Sequence, residues 1–106
     1  MSYDTTNEEL NRAIKYLEEN ISSFAPTACE RHVFEVLKDL KVQATFIEAL
    51  KENFFEKVNC KGEHDQIKVT FIFKCKPPKI CFIAPFFDVT YDLSTKKVVD
   101  IKKIGF

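Results

Sequence analysis

The spacing of apolar residues changes once along this chain, near residue 60, and that change limits the folds it can adopt. Before it, apolar residues recur every three or four positions, which is the spacing of amphipathic helices. After it, apolar and polar residues alternate from Ile67 to Cys75, which is the period of a half-buried strand. A helical half followed by a strand half predicts an α+β fold.

Three Thr-x-x-Glu capping boxes mark the predicted helix starts, at Thr6, Thr27 and Thr45. In such a box the Thr oxygen accepts a hydrogen bond from the N–H three residues on, and the Glu reaches back to the Thr N–H. Each box precedes a stretch of helical periodicity. The sequence therefore predicts helices over residues 7–22, 28–40 and 46–58.

Turn residues divide the second half into three predicted strands. We expect them over residues 67–76, 80–93 and 97–104. Pro77 and Pro78 end the first strand, and Pro85 predicts a bulge or bend in the second because proline cannot donate to the ladder. The expected fold is three N-terminal helices followed by a three-stranded antiparallel meander, with the second strand central and the helices on one face.

Composition narrows the class of protein. The 106 residues predict a single domain over 1–106, and 45% hydrophobic content excludes intrinsic disorder. Only Gly62 and Gly105 are glycines, so neither a dinucleotide-binding fingerprint nor a phosphate-binding P-loop is possible. No apolar run reaches the ~20 residues that span a bilayer. A polar N-terminus and sparse cysteines predict a cytoplasmic protein without a signal peptide.

Charge is distributed unevenly. Up to Asp65 the chain carries eight Lys and Arg against thirteen Asp and Glu, and from Gln66 onward it carries eight Lys against three Asp. Lysine-rich strands with aromatic neighbours could bind nucleic acid or another anionic surface. Two observations weigh against nucleic acid: the only arginines, Arg12 and Arg31, lie on predicted helices, and the aromatic rings alternate toward the core.

Cysteine and histidine offer two chemical hypotheses. Cys29, His32, Cys60 and His64 have the side chains and the pairwise spacing of a zinc site, but the gap between the pairs fits no zinc module. Cys29 and His32 could also act as nucleophile and base, although Cys29 falls in the apolar arc of its helix. We therefore expect no metal, no cofactor and no catalytic activity.

Two further motifs concern covalent modification. Cys75 and Cys81 flank the Pro77–Pro78 turn, where a disulfide is geometrically plausible but disfavoured by a reducing compartment. Asn20-Ile21-Ser22 is an N-glycosylation triplet at a predicted helix end, and such triplets are common by chance.

The apolar surplus of the strands is the main functional signal. Helices can cover only one face of the sheet, so Cys81, Ile83 and Phe87, or else the alternate residues of the same strand, are expected on the open face, with Ile72 beside them. Exposed apolar patches mark interfaces. A bulge at Pro85 could instead turn these residues inward. An acidic row of Glu48, Glu52 and Glu56 on the third predicted helix could meet a basic partner or be a solvated surface.

A helix followed by an antiparallel meander resembles the cystatin-like fold over the C-terminal two-thirds of the chain. The Gln-x-Val-x-Gly loop of cystatin inhibitors is absent, because Gln43 is followed by Ala44-Thr45-Phe46-Ile47. The resemblance therefore implies a topology and no inhibition of cysteine proteases.

Three functional hypotheses follow from the sequence. The first is a non-catalytic module that binds another protein, or a second copy of itself as a homodimer, through the open sheet face. The second is a binder of nucleic acid or of an anionic surface through the lysine-rich strands. The third is a zinc-dependent protein that uses the Cys and His residues named above.

Overall fold

The computed structural model describes the backbone of residues 8–24 and 27–106 and the side chains of 8–21 and 31–106. Three helices precede four strands. The helices are α1 (Glu8–Phe24), α2 (Thr27–Val36) and α3 (Leu40–Leu50), and the strands are β1 (Asn53–Glu63), β2 (Gln66–Cys75), β3 (Phe86–Asp92) and β4 (Lys97–Ile104). The predicted α+β class is confirmed. The expected number of strands is wrong, because the sheet has four.

The sheet is an antiparallel meander with the order β1-β2-β3-β4, so β1 and β4 are its edges. Two tight turns lie at one end, at His64–Asp65 and over residues 93–96, where a turn was predicted. In the second turn Asp92 Oδ1 accepts hydrogen bonds from Ser94 N at 2.9 Å and Ser94 Oγ at 2.8 Å. These bonds lower the pKa of Asp92. The long connection from β2 to β3 lies at the opposite end of the sheet.

The start of α3 differs from the prediction. Asp39 caps it, and Asp39 Oδ1 accepts from Lys41 N at 2.8 Å and from Val42 N at 3.2 Å. The helix expected over residues 28–40 therefore ends earlier, as α2 at Val36, and Leu40 belongs to α3. Thr45 lies inside α3, where its hydroxyl donates to the Lys41 carbonyl. Thr45 is therefore no cap. The side chains of Thr6 and Thr27 lie outside the described residues.

The expected helix over 46–58 is wrong in its second half. α3 ends at Leu50, and β1 pairs with β2 along its length from Asn53. The buried Asn53 amide donates to the Ala49 carbonyl at 2.9 Å and so joins the end of α3 to the start of β1. The β1–β2 register shifts between Phe55 and Lys57, which is a β-bulge.

The core lies between the helices and one face of the sheet, with Phe46 of α3 at its centre. Its ring lies 5.3–6.0 Å from four strand rings, those of Phe55, Phe71, Phe73 and Phe87. Most of these contacts are edge-on, an arrangement that aromatic pairs prefer. All three helices contact the sheet or each other around this cluster. The prediction that the helices cover one face is thus supported.

A polar contact joins α2 to the sheet. The Tyr91 hydroxyl on β3 donates to Glu35 Oε2 at 2.6 Å, and the His32 ring lies beside the Tyr91 ring. Burial and then the Glu35 carboxylate raise the pKa of Tyr91 to about 12. Within the described part of the chain, no helix has the length and apolarity needed to cross a bilayer.

Candidate interaction surface

The open face of the sheet is mostly polar. The register places Asn59, Thr70, Asp88 and Lys102 in one row across it, and the Thr70 hydroxyl donates to Asp88. The apolar row is confined to one end and consists of Ile72, Phe86 and Ile104. The broad apolar surplus expected on this face is not found there, because β3 begins only at Phe86 and places Phe87, Val89 and Tyr91 in the core.

The structure separates the four residues expected on that face. Ile72 lies on the open face and is half-buried. Phe87 is fully buried in the core and contributes nothing to the surface. Cys81 and Ile83 lie outside the sheet, in the connection between β2 and β3, so the expected strand over 80–93 is wrong over its first six residues.

The acidic row is also dispersed. Glu48 lies on α3 and pairs with Lys51 at 3.0 Å. Glu52 follows the end of α3 and lies 3.4 Å from Lys79 Nζ. Glu56 lies at the bulge of β1. The row does not form because α3 ends before Glu52, so the three carboxylates do not share a helix face.

The connection over residues 76–85, which we name the apolar loop, carries the two most exposed large hydrophobic side chains of the described residues and a third that is also largely exposed. Phe82 is 102% exposed, Ile80 84% and Ile83 70%. Isolated exposed hydrophobic residues are common, but three within four positions form a patch. The sequence indicated a loop here, because prolines flank these residues, with Pro77-Pro78 before them and Pro85 after them.

Covalent and hydrogen bonds fix the shape of the apolar loop. A disulfide joins Cys75 to Cys81, with their Cα atoms 6.2 Å apart. Within this ring Lys79 N donates to the Lys76 carbonyl at 3.1 Å, around a cis Pro77–Pro78 bond. A cis proline at the third position of a hydrogen-bonded turn defines a type VI turn.

The base of the apolar loop is attached to the body of the protein. Lys76 N donates to the Glu52 carbonyl at 3.1 Å, and Lys76 Nζ donates to the Leu50 carbonyl at 2.9 Å while lying over the Phe54 ring. At the other end Pro85 is buried, and its carbonyl accepts from Phe73 N at 2.8 Å. The backbone is therefore held at both ends, and the apolar side chains project between them.

Two further features surround the apolar loop. A cleft of about 240 Å³ lies beside its base, lined by Ala13 and Tyr16 of α1, Phe54 and Phe55 of β1, and Lys76. The chain from Gln66 to Phe87 contains four lysines and no acidic residue. Two of these lysines lie in the apolar loop itself, and each is near a glutamate, Lys79 beside Glu52 and, at 4.0 Å, Lys76 beside Glu9.

The Cys and His residues do not form a metal centre among the described side chains. Cys60 is disulfide-bonded, so it is neither a thiolate ligand nor a nucleophile. His32 Nδ1 lies 3.9 Å from Glu35 Oε1, whereas His64 lies in the exposed β1–β2 turn. The side chain of Cys29 is outside the described residues.

No family model, curated protein or solved structure matches this chain.

Proposed function

We propose that this protein is a non-catalytic interaction module that binds another protein through the apolar loop. The observation that carries the proposal is the exposure of Ile80, Phe82 and Ile83 on a loop closed by a disulfide and held at both ends. The open sheet face, expected from sequence to be the interface, offers less apolar surface, because its apolar row is confined to Ile72, Phe86 and Ile104 at one end.

The energetics favour such a loop as a binding element. Burying an aliphatic or aromatic side chain contributes roughly 1.5–3 kcal/mol, so three of them form a strong contact. Binding also costs less when the loop is already ordered, because little conformational entropy is lost. A convex apolar loop fits a concave apolar pocket, and carboxylates around that pocket would complement the lysines near the apolar loop.

The proposal includes no catalytic role. Its support is that Cys60 is held in a disulfide and is therefore not available as a thiolate.

An anionic membrane surface is the second candidate, and one observation favours it. The apolar loop lies within a stretch of chain that carries four lysines and no acid. Exposed apolar side chains beside lysines are suited to a surface of anionic lipid. The open face favours nucleic acid less, because its lysines are interspersed with Asp88, Asp92 and Asp100 and most large rings of the strands face the core.

The proposal is tested by comparing three forms of the chain. The wild type, the loop variant Phe82→Ser/Ile83→Ser and the control Leu40→Ser serve as baits in native extracts, and each retained protein is purified and titrated against each bait. Leu40 is a matched control because it is 78% exposed but lies at the start of α3. We expect the wild type and the control to bind alike and the loop variant to bind at least tenfold more weakly.

A purified partner that binds the loop variant with wild-type affinity would contradict the proposal. The variant Ile72→Glu tests the open face separately, and we expect it to leave binding intact. Sedimentation equilibrium of the pure chain detects a second copy as the partner. Cosedimentation with anionic but not neutral vesicles, lost in the loop variant and in high salt, would instead support the membrane candidate.

A further inference from the structure

Asn20 heads the one N-glycosylation triplet in the sequence. Of the five asparagines, only Asn20 has Ser or Thr two positions later, at Ser22. It lies on α1 between the buried Leu17 and Ile21, but its own side chain is only partly buried. Its amide nitrogen Nδ2 donates to the Tyr16 carbonyl at 2.9 Å. The acceptor atom is therefore at the protein surface.

The cysteines give an independent indication of the compartment. Cys75 and Cys81 are disulfide-bonded, with a Cα separation inside the usual range, and Cys60 is disulfide-bonded as well. No described cysteine is a free thiol. Structural disulfides form and persist in the endoplasmic reticulum and outside the cell and are rare in the cytosol. The same secretory route is where Asn-x-Ser triplets are glycosylated.

We propose that Asn20 is an N-glycosylation site and that this chain folds in the secretory compartment. In the transfer, Nδ2 of Asn20 forms a bond to C1 of an oligosaccharide. The C1–oxygen bond to the donor, a lipid-linked pyrophosphate, breaks at the same time. The lipid diphosphate leaves, and Nδ2 loses one proton. No oxidant or reductant takes part in this step.

The environment of Asn20 accommodates the product. A primary amide has two N–H donors, and glycosylation removes only one, so the bond to the Tyr16 carbonyl can persist. Glu9, near the other end of α1, lies 4.0 Å from Lys76 at the base of the apolar loop. Asn20 is eleven residues further on, about 16 Å along the helix axis at 1.5 Å per residue. A glycan there leaves the apolar loop free.

Helix geometry determines when the transfer must occur. Positions two apart in an α-helix do not face each other, so a helical triplet does not present its first and third residues to one enzyme site. The triplet lies within α1, which extends to Phe24. Transfer therefore precedes the folding of α1, and the folded chain is not a substrate. Glycosylation at Asn20 does not depend on the function proposed above. It is incompatible with the cytoplasmic location expected from sequence, which stays a prediction.

The test is expression of the full chain behind a cleavable signal peptide in cells with a secretory pathway. We expect one glycan, released by an N-glycan amidase with conversion of Asn20 to Asp, which mass spectrometry detects. Asn20→Gln and Ser22→Ala should abolish the glycan completely, whereas Ser22→Thr and the control Asn59→Gln should retain it. In detergent-permeabilised microsomes the folded, unglycosylated chain should remain unmodified, whereas the same chain unfolded should be modified.

Two results would overturn the proposal. One is a translocated, disulfide-bonded chain in which Asn20 is unmodified. The other is protein isolated from its native source with free thiols and no glycan. Using both Asn20→Gln and Ser22→Ala ensures that misfolding of one variant does not decide the outcome.

Discussion

Phe87 shows that an error in which alternate residues of a strand face the core changes the predicted burial of each side chain. Phe87 was expected on the open face because residues 80–93 were interpreted as one strand. The strand begins at Phe86, and its alternation places Phe87 against Phe46 in the core. Phe46 opens the helix predicted over residues 46–58, and its burial agrees with an apolar stripe at helical spacing. The stripe fixes the buried face of a helix, but a strand has two faces, and sequence alone does not say which of them the helices cover.

Tyr91 carries a prediction about pH. Its pKa is raised from the usual tyrosine value of 10.0 to about 12 in the folded protein, because of burial and the neighbouring Glu35 carboxylate. A raised folded-state pKa means that the stabilisation is complete below pH 10 and is lost as the pH rises through 12. We expect the free energy of unfolding to fall across that window, as measured by urea denaturation at a series of pH values.

Two variants test whether Tyr91 and its contact with Glu35 cause the loss of stability at high pH. Tyr91→Phe should remove the part of the pH dependence due to Tyr91. Glu35→Gln should lower the pKa of Tyr91, because it removes the negative charge that opposes ionisation. Tyrosinate absorbance follows the titration directly. An unchanged absorbance titration in Glu35→Gln would show that the hydrogen bond to Glu35 has no such role.

At the scale of elements, the boundary between α3 and β1 was missed for a specific reason. The bulge after Phe55 inserts Glu56, so Phe55 and Val58 both face the core although they are three positions apart. The predicted stripe of the third helix instead ran through Phe54 and Val58, whose separation of four positions is a helical spacing, although in the structure Val58 is buried and Phe54 is half exposed. Beyond the bulge the alternation of β2 was predicted correctly. The helices, the meander and the turn at residues 93–96 could thus be predicted, whereas β1 and the apolar loop could not.

The start of α3 gives a second prediction. Asp39 satisfies two backbone N–H groups at the N-terminus of α3, whereas Thr45 lies inside the helix. Asp39→Ala should therefore lower the free energy of unfolding by about 1 kcal/mol, the usual cost of losing an N-cap. Thr45→Ala should change it by less than about 0.5 kcal/mol, because alanine is the better helix former.

Urea denaturation of both variants measures the difference. A larger loss in Thr45→Ala than in Asp39→Ala would mean that the capping box predicted from sequence is the one that stabilises the helix.

At the scale of the whole molecule, the two ends of the sheet differ. One end has the two tight turns, and the other has the apolar loop and the cleft beside it. The charge asymmetry of the sequence also becomes spatial, since α1 and α2 together carry three more acidic than basic residues, whereas β2 and β4 together carry four more basic than acidic ones. The sequence predicted exposed apolar residues on the open sheet face, whereas the most exposed ones lie on the apolar loop, which is closed by a disulfide that had been considered plausible but disfavoured.

The disulfide that closes the apolar loop gives the third prediction. Replacing both partners, as Cys75→Ser/Cys81→Ser, should lower the free energy of unfolding by about 2 kcal/mol, because the bridge closes a short loop and restricts the unfolded chain. Hydrogen exchange should accelerate at Lys79, whose N–H lies within the ring. Both measurements compare non-reduced proteins, so that the disulfide of Cys60 stays intact.

Unchanged exchange at Lys79 in the double variant would show that hydrogen bonds alone maintain the turn. The single variant Phe82→Ser is the control for changes in the apolar loop that leave the ring closed, and it should unfold like the wild type because its side chain is fully exposed.

The attachment of the apolar loop at its base has an evolutionary consequence. The residues that maintain its backbone, Cys75, Lys76, Cys81 and Pro85, are distinct from those that it displays, Ile80, Phe82 and Ile83. Mutations at the displayed positions leave these supporting contacts unaltered, so the binding specificity can change without variants that fail to fold. Descendants of this chain are expected to accumulate their differences there first.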